Sequence, residues 1–496
     1  MRIARLISIA GVDKRWIGAA LACVAAVSLG GCAVNPATGD VDLILLSAED
    51  ERRLGAQEHP KISRQFGGAY DLKRLTDYVT GVGRKLAAHA EYPADRFRFT
   101  VLDTPIVNAF ALPGGYIYVT RGLVALAGNE AELAGVLAHE IGHVTARHSA
   151  QRYSRQMLTG LGAGVLGAVT RSRAARDLAN LGGTLYLRGY SRDQEFQADT
   201  LGIRYLTRAG YDPGAMASFL AKMGANARFQ AKLRGGADNT AAYNLLATHP
   251  RTIDRVRQAR SAAQVKAVGR ARLGRRDFLT AIDGVVHGSS RRQGFIRGRR
   301  FVHPMIGVEF TVPTGYRLTN LPDRVVAAHR QGPTVIFDQA RRDGLDLMGY
   351  VMRSWAPRLK LRQRERITVN GLPAVTASGR TRIKGQVRDL RLLAIGDGGD
   401  GVFRFAMIAA PTGAARWNRD MRAIAHSFRR LSVAEAKSMT ARRLKIIPVG
   451  RRDTVDALAG RMAVDDHKRG WFELLNGLDL PGADPPKAGD LVKIVR

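Results

Sequence analysis

The residues most able to do chemistry stand together in the run His139-Glu140-Ile141-Gly142-His143. On an α-helix, residues four apart project from one face, so both imidazoles can reach the same metal ion. Glu140 lies about 100° round the helix from His139, close enough to hold a water molecule beside that ion. This spacing is typical of sites where two histidines bind zinc and the glutamate is a general base. The alternative is a helix with two solvated histidines.

A second cluster, Glu195-Phe196-Gln197-Ala198-Asp199, places two carboxylates on one helical face. Glu195 can complete a His₂Glu site that leaves one position open for water. Asp199 can accept a hydrogen bond from a ligand histidine and so fix its tautomer. Ser149 stands where the metzincin pattern has a third histidine, so the third ligand must come from a separate helix. Here the alternative is two carboxylates on a surface helix.

The elements that must position these clusters can be predicted from periodicity and turn residues. Helices are expected from Ser47 to about His89, and a capped amphipathic helix is expected from Asn129, with Glu132 in a capping-box position. The apolar stripe of that helix is Leu133, Val136, Leu137, Ile141 and Val144. Strands are predicted at 97–102, 108–112 and 116–119, the last two joined by Pro113-Gly114-Gly115.

In combination these motifs resemble the gluzincin metallopeptidases grouped with the CAAX prenyl endopeptidase and the HtpX-type envelope proteases. The resemblance covers about Ser47 to Arg257 and is closest to the soluble periplasmic lipoprotein branch. Besides the two clusters, it is carried by four further motifs: Asn108-Ala109-Phe110, Pro113-Gly114-Gly115, Tyr190-Ser191-Arg192, and Thr248-His249-Pro250 followed by Arg255.

The resemblance implies a zinc site with His139, His143 and Glu195 as ligands, Glu140 as general base and Asp199 as a supporting residue. His249 and Arg255 would then stabilise the oxyanion of the reaction, or His249 would cap the open metal position in a resting state. The alternative for His249 is a surface histidine that starts a helix. Asn108 and Ala109 are expected to pair with an extended substrate as an added strand. His148 and His89 are interpreted as ordinary surface residues.

The N-terminus reads as an export signal. Arg2, Arg5, Lys14 and Arg15 precede an uncharged, mostly apolar run over 16–31 that is short for a membrane-spanning helix. It ends in Leu29-Gly30-Gly31-Cys32, which resembles a bacterial lipobox, so Cys32 is the predicted lipidation site. The alternative is an uncleaved anchor with an incidental cysteine. Two cysteines in all exclude a disulfide scaffold or a four-cysteine zinc site.

The formal net charge is +34, and the excess is concentrated in the C-terminal half. A basic surface predicts a polyanionic partner. Because the export signal places the chain outside the cytoplasm, we expect peptidoglycan, anionic lipid or another anionic envelope polymer and no nucleic acid.

Two blocks follow the predicted protease. Residues 301–435 resemble a PsbP-like α/β domain, and no catalytic cluster stands out there, so binding or scaffolding is expected. Residues 441–496 resemble a LysM glycan-binding module in the order strand, helix, helix, strand, although Arg451-Arg452 interrupt its usual start. The alternative is a small capping subdomain.

The predicted fold class is α+β multidomain. It comprises a signal peptide (1–31), a mainly helical zincin-type domain with a small edge sheet (32–264) and a Gly/Arg-rich linker (265–300), then the α/β block and the βααβ module. The expected function is a zinc-dependent metalloendopeptidase, lipid-anchored on the periplasmic face of the bacterial outer membrane, that cleaves envelope proteins or peptides. The competing hypothesis is a non-proteolytic envelope scaffold that binds cell wall or anionic lipid.

Overall fold

The computed structural model describes residues 32–155, 157, 189–233, 249, 254–255, 257–259, 261, 271–383, 385–412 and 414–496. The predicted signal peptide lies outside these residues. The described part of the chain is α+β, with a helical region first and sheet-rich regions after it. Among the described residues, no helix combines the length and the apolar character needed to cross a membrane.

The helical region contains the predicted helices and strands. Its helices are α1 (Ala48–Gln65), α2 (Lys73–Ala87), α3 (Arg121–Leu126), α4 (Glu130–Thr145), α5 (Arg192–Arg208), α6 (Gly214–Leu233) and α7 (Arg275–Ile282), with a 3₁₀ turn at Ala94–Arg96. Its strands are β1 (Cys32–Val34), β2 (Val41–Leu43), β3 (Arg98–Leu102), β4 (Ala109–Leu112) and β5 (Tyr116–Thr120). The order β3-β5-β4 leaves β4 at one edge of its sheet.

Helix α4, which carries the histidine motif, is the centre of this region. Asn129 caps it as predicted, because its side chain accepts a hydrogen bond from the Glu132 amide. The Glu132 carboxylate does not close a capping box. It binds the Gly128 amide and Lys222 instead. Every residue of α4 is buried, so the prediction of an amphipathic helix is wrong. A helix packed on all sides needs small and apolar residues all round, and α4 has them.

Two glycines allow α4 and α5 to approach closely. A Cβ built on Gly142 would lie 3.0 Å from the carbonyl oxygen of Ala198, and one on Gly202 would lie 3.1 Å from the His139 amide nitrogen. The two backbones therefore cross at the level of the histidine motif. This contact brings the Glu195-to-Asp199 cluster against His139 and His143.

The segment predicted as a Gly/Arg-rich linker is folded over 271–300, and the linker prediction is wrong there. Helix α7 buries Phe278, Leu279 and Ile282 in the same apolar core as α2 and α4. Glycine and arginine content suggested a flexible segment, but three apolar side chains at helical spacing are enough to anchor it. Strand β6 (Phe295–Arg297) then begins the next domain.

The strands of the sheet domain after β6 are β7 (Arg300–His303), β8 (Val308–Thr311), β9 (Tyr316–Asn320), β10 (Val325–His329), β11 (Thr334–Arg341), β12 (Arg362–Val369), β13 (Leu372–Ile383), β14 (Gln386–Gly396), β15 (Gly401–Ala409) and β16 (Arg429–Arg430). They form two antiparallel sheets with the orders β16-β8-β7-β6 and β12-β13-β14-β15-β11-β10-β9. The helices of this domain are α8 (Leu347–Gly349), a π-helical turn (Tyr350–Trp355), α9 (Ala414–Ser427) and α10 (Val433–Ser438). Phenylalanines from both sheets and from the end of α9 form one core.

The C-terminal block has the predicted order of strand, helix, helix and strand. It comprises β17 (Leu444–Pro448), α11 (Val455–Gly460), α12 (Lys468–Asn476) and β18 (Leu491–Val495), with β17 antiparallel to β18. Phe472 and Ile494 belong to the same core as Leu137 of α4. Lys493 is buried, and its Nζ donates to the carbonyls of Ala125 and Ala127 at 2.8 and 2.7 Å. The block is therefore packed onto the helical region and closes the C-terminal end of α3.

Candidate metal centre

Four side chains from three parts of the chain converge beside α4. They are His139, His143, Glu195 and His249, and one donor atom from each lies within 4.8 Å of the other three. The Nε2 atoms of His139 and His143 are 3.0 Å apart, and His249 Nδ1 lies 3.2 Å from His139 Nε2. All four side chains are buried. The structure thus brings together the three predicted ligands and the histidine predicted to approach the open position.

The donor set fits a divalent zinc ion. Zinc in proteins is commonly bound in tetrahedral geometry by imidazole nitrogens and carboxylate oxygens. Neutral imidazoles whose Nε2 atoms face each other at 3.0 Å cannot both direct lone pairs into the same space without a cation or a proton between them. Glu195 adds negative charge, with its Oε1 atom 3.6 Å from His143 Nε2. The chemistry of these atoms therefore favours a bound cation.

Glu140 lies next to this group but bonds to none of it. Among the residues that the structure describes, neither of its carboxylate oxygens has a hydrogen-bond partner, although the side chain is fully buried. His249 Nε2 is 3.6 Å from Glu140 Oε1. Burial raises the pKa of Glu140 above its ordinary value. A buried carboxyl group with free oxygens and a raised pKa is suited to accept a proton from water and to release it again.

His139 is held from behind by a buried pair of charges. Its Nδ1 atom lies 2.9 Å from Asp199 Oδ1, so Nδ1–H donates to the carboxylate and Nε2 keeps its lone pair for a metal. Arg255 binds Asp199 with two parallel hydrogen bonds of 2.7 Å each. Burial alone would raise the pKa of Asp199, but Arg255 and His139 lower it well below its ordinary value. The predicted supporting role of Asp199 thus has the required geometry.

Arg255 also reaches Glu195, with Nη1 2.8 Å from Oε2. Burial would raise the pKa of Glu195, but His249 and Arg255 outweigh it and lower that pKa. His249 Nδ1 lies 2.8 Å from Glu195 Oε1. For His249, burial would lower the pKa, yet the carboxylates of Glu195 and Glu140 raise it. Glu195 is therefore held in the charged form that a metal ligand requires.

Sequence reasoning missed His148, which is no surface residue. It is completely buried, and its Nδ1 atom lies 2.8 Å from Nδ1 of His143. Its Nε2 atom lies 2.5 Å from Gln197 Oε1, which can only accept. His148 Nε2 is therefore the donor, so His143 Nδ1–H must donate to His148 and His143 Nε2 keeps its lone pair. Burial lowers the pKa of His148 to about 4, which keeps the ring neutral.

Two signals in the sequence could have pointed to His148 and to its neighbour Tyr190. His148 lies five residues after His143, one turn beyond the motif, and Gln197 occupies the middle of the second cluster. Tyr190 stacks on the His143 ring with centroids 3.8 Å apart and bonds Ser149 through its hydroxyl at 2.9 Å. Together these contacts leave the His143 ring one orientation.

The strand predicted to pair with substrate lies beside α4, but it is buried within the protein. Ala109 begins the edge strand β4 and Asn108 directly precedes it, and both are fully buried. The Thr120 hydroxyl contacts the Asn108 backbone at both its amide and its carbonyl. Pairing of this edge with a substrate therefore stays a prediction.

The comparisons with known proteins point to the same part of the chain. Residues 73–263 match the model of Peptidase family M48. The beta-barrel assembly-enhancing protease of Yersinia pestis is 36% identical over 200 residues, covering 38% of this chain and 39% of that protein. The protein of that name from Escherichia coli K12 is 34% identical over 214 residues, covering 40% and 42%. The mitochondrial metalloendopeptidase OMA1 of Arabidopsis thaliana is 37% identical over 151 residues, covering 30% and 28%.

The chain thus spans less than half the length of these relatives, and the similarity lies in the region that holds the metal centre. Among solved structures, cyanobacterial PsbP from Synechocystis sp. PCC 6803 is similar at a TM-score of 0.22 and 15% identity, over 28% of this chain and 98% of that one. A score this low does not establish a shared fold.

Proposed function

We propose that this chain is a zinc metalloendopeptidase that hydrolyses peptide bonds in bacterial envelope proteins, and the match of residues 73–263 to Peptidase family M48 supports the proposal. One observation carries the proposal. Four buried donor atoms converge within 4.8 Å of one another, directly beside a glutamate whose oxygens are unbonded among the described residues. A structural charge cluster would use those oxygens, whereas a general base must keep them for water and substrate.

His139, His143 and Glu195 would hold the metal, with His249 as a fourth donor while no substrate is bound. Zinc held there would supply Lewis acidity, which polarises a peptide carbonyl and makes water a stronger acid. Glu140 would take a proton from the attacking water and pass it to the departing amine. Asp199 would keep His139 in the ligating tautomer.

The contacts of Arg255 give it a positioning role, and its predicted oxyanion role stays a prediction. Its guanidinium already binds Asp199 through Nε and Nη2 and approaches Glu195 through Nη1. These contacts hold the two carboxylates in place, while Nη1 makes no hydrogen bond among the described residues and keeps donors for a substrate oxygen.

The test is to measure casein cleavage and bound zinc together in Glu140→Gln and in the wild type. The amide keeps the size of the side chain but cannot accept a proton, so cleavage should fall by about 10²–10⁴-fold while zinc content is retained. Glu49→Gln is the matched control, because Glu49 is exposed in the first turn of α1. A chelator should abolish wild-type cleavage, and added zinc should restore it.

Two results would contradict the assignment. If Glu140→Gln cleaves casein at the wild-type rate, Glu140 is not the general base. If Glu140→Gln loses its zinc, Glu140 is a metal ligand. Glu195→Gln should lower zinc content as well as rate, since it weakens one of the protein ligands. Full zinc and full activity in that variant would transfer the ligand role to His249.

We also propose that the protein is anchored by lipid at Cys32 on the periplasmic face of the outer membrane. What supports this is the lipobox-like run and the short path from Cys32 to the metal centre. Asn35, three residues on, is buried and donates to the carbonyl of Ala146, directly after α4. The envelope substrate is suggested by the name of the relatives, beta-barrel assembly-enhancing protease. A PsbP-like block at 301–435 and a LysM-like module at 441–496 that binds peptidoglycan remain proposals of the same kind.

A further inference from the structure

A cavity of about 700 Å³ opens on the sheet domain, remote in sequence from the metal centre. It lies between the ends of β12 to β15, the loop before β12 and the beginning of α9. Small-molecule sites in proteins have volumes of roughly 300–1,000 Å³, so the cavity is of a size that holds a ligand.

The rim of the cavity is strongly basic. Five cationic side chains line it against one carboxylate: Arg358, Lys360, Arg362, Arg380, Arg391 and Asp389. Arg380 binds Asp389 at 2.8 Å, and Arg391 donates to the Thr376 hydroxyl at 3.0 Å. Within the described part of the chain, the other three make no side-chain hydrogen bond or ion pair. Three cations without internal partners therefore point to an anion from outside.

The inner wall of the same cavity is apolar. Met407 and Ala409 of β15 form part of it, and Trp417 of α9 stands beside them. These residues belong to the core of the domain and are only 3%, 7% and 9% exposed, so it is their edges that line the cavity. A site for a simple anion would need no such wall, since burying apolar surface contributes only when the ligand itself is partly apolar.

The backbone is distorted where the basic rim meets the cavity. The pairing of β12 with β13 shifts register between Arg362 and Glu365, and Gln363 adopts a positive φ of 47°. Its side chain accepts a hydrogen bond of 2.8 Å from the Ser378 hydroxyl. Bulges of this kind re-aim side chains, and strained backbone in non-glycine residues clusters at binding sites. Here the bulge falls on the two residues of β12 that line the cavity.

We propose that this cavity binds a phosphate-bearing amphiphile, with the phosphate among the arginines and the apolar group against Trp417 and Met407. A phosphate offers several acceptor oxygens and up to two charges, which match a cluster of guanidinium forks. An anionic polysaccharide would satisfy the charges but would leave the apolar wall in contact with water, so the amphiphile is the better match. The proposal is independent of the peptidase activity.

The test is a calorimetric titration of the full-length protein with dodecyl phosphate below its micelle concentration, with intrinsic tryptophan fluorescence as a second readout. We expect one binding site, and weaker binding of inorganic phosphate because it lacks the apolar part. Arg358→Ser combined with Arg362→Ser should weaken dodecyl phosphate binding by about tenfold or more, because two charged donors are removed. Arg382→Ser with Arg388→Ser is the matched control of equal charge change outside the cavity, and it should bind as the wild type does.

Four results would overturn the proposal. An equal loss of dodecyl phosphate binding in the Arg382→Ser, Arg388→Ser variant would show that net charge alone causes the binding. Binding of inorganic phosphate as tight as that of dodecyl phosphate would make the site a plain anion site. Equally tight binding of uncharged dodecyl maltoside would show that the phosphate group contributes nothing to binding. The ligand would be a polymer if phosphatidylglycerol vesicles do not compete with dodecyl phosphate but a soluble anionic polysaccharide does.

Discussion

The metal centre and the basic cavity of the sheet domain differ in how their charged side chains are paired. Around the metal centre, Arg255, Asp199 and Glu195 are buried and bound to one another within 2.8 Å. In the sheet domain, Arg358 and Arg362 are exposed and bind nothing among the described residues. A buried charge is costly unless it is paired, whereas an exposed one stays solvated until a ligand arrives. Paired charges thus hold a site rigid, and unpaired charges leave a site open.

The largest effect is expected from the loss of Arg255. Arg255→Met keeps the length of the side chain but leaves Asp199 and Glu195 as buried, uncompensated carboxylates. Breaking a buried ion pair by removing one partner costs about 3–5 kcal/mol, and we expect a loss of that size in urea denaturation.

The matched control is Arg257→Met, two residues on, where the side chain is 77% exposed and 3.9 Å from Asp254. It should change the free energy of unfolding by less than about 0.5 kcal/mol. Similar unfolding midpoints for the two variants would mean that the Arg255 contacts contribute no net stability.

In the C-terminal block, Lys493 is a buried polar side chain whose hydrogen bonds are all made within the protein. In Lys493→Met the carbonyls of Ala125 and Ala127 would lose their donor in a buried place. Each buried polar group left without a partner costs about 1–3 kcal/mol, so the thermal unfolding temperature should fall clearly. Lys487→Met, in an exposed position of the same block, should leave it unchanged. A wild-type melting curve for Lys493→Met would show that the block does not depend on this contact.

His148 tests whether support from behind decides metal affinity. His148→Phe fills the same space but cannot accept the proton of His143 Nδ1. Loss of such a partner typically costs about 10–100-fold in metal affinity, measured here by competition with a chromophoric chelator. His89→Phe, a partly buried histidine at the end of α2, should bind zinc as the wild type does. Unchanged zinc affinity in His148→Phe would reduce its role to packing.

The smallest effect is expected in the sheet domain. Arg366 binds Asp346 at 2.8 Å, but the two side chains are 66% and 56% exposed. Exposed pairs contribute about 0–1 kcal/mol, so Arg366→Ser should lower stability by less than that in the same urea experiment. A loss as large as that of Arg255→Met would end the distinction between the two regions.

Local patterns predicted most of the elements around the site. Asn129 begins α4 because its side chain caps the helix, and the strands on either side of Pro113 follow from turn residues and alternation. The two clusters were readable because helical spacing of four puts side chains on one face whatever surrounds the helix. The linker prediction was wrong over 271–300 because composition gives no information on the apolar core in which Phe278 is buried.

Other features depend on contacts between distant parts of the chain. His148 could not be distinguished from a surface histidine, since its burial depends on where α5 crosses α4. The basic cavity was invisible because its residues lie on separate strands and meet only through their register. That the C-terminal block shares a core with α4 followed from no local pattern either.

The sequence by itself determined which residues can bind zinc, which can act as base, and on which helices they lie. It did so because these depend on side-chain type and on the fixed pitch of a helix. Only the tertiary structure decided that Gly142 and Gly202 bring Glu195 to the two histidines, that His249 completes the group, and that Asp199 and His148 fix both tautomers. Those outcomes depend on how closely two backbones approach, and spacing along one chain carries no measure of that distance.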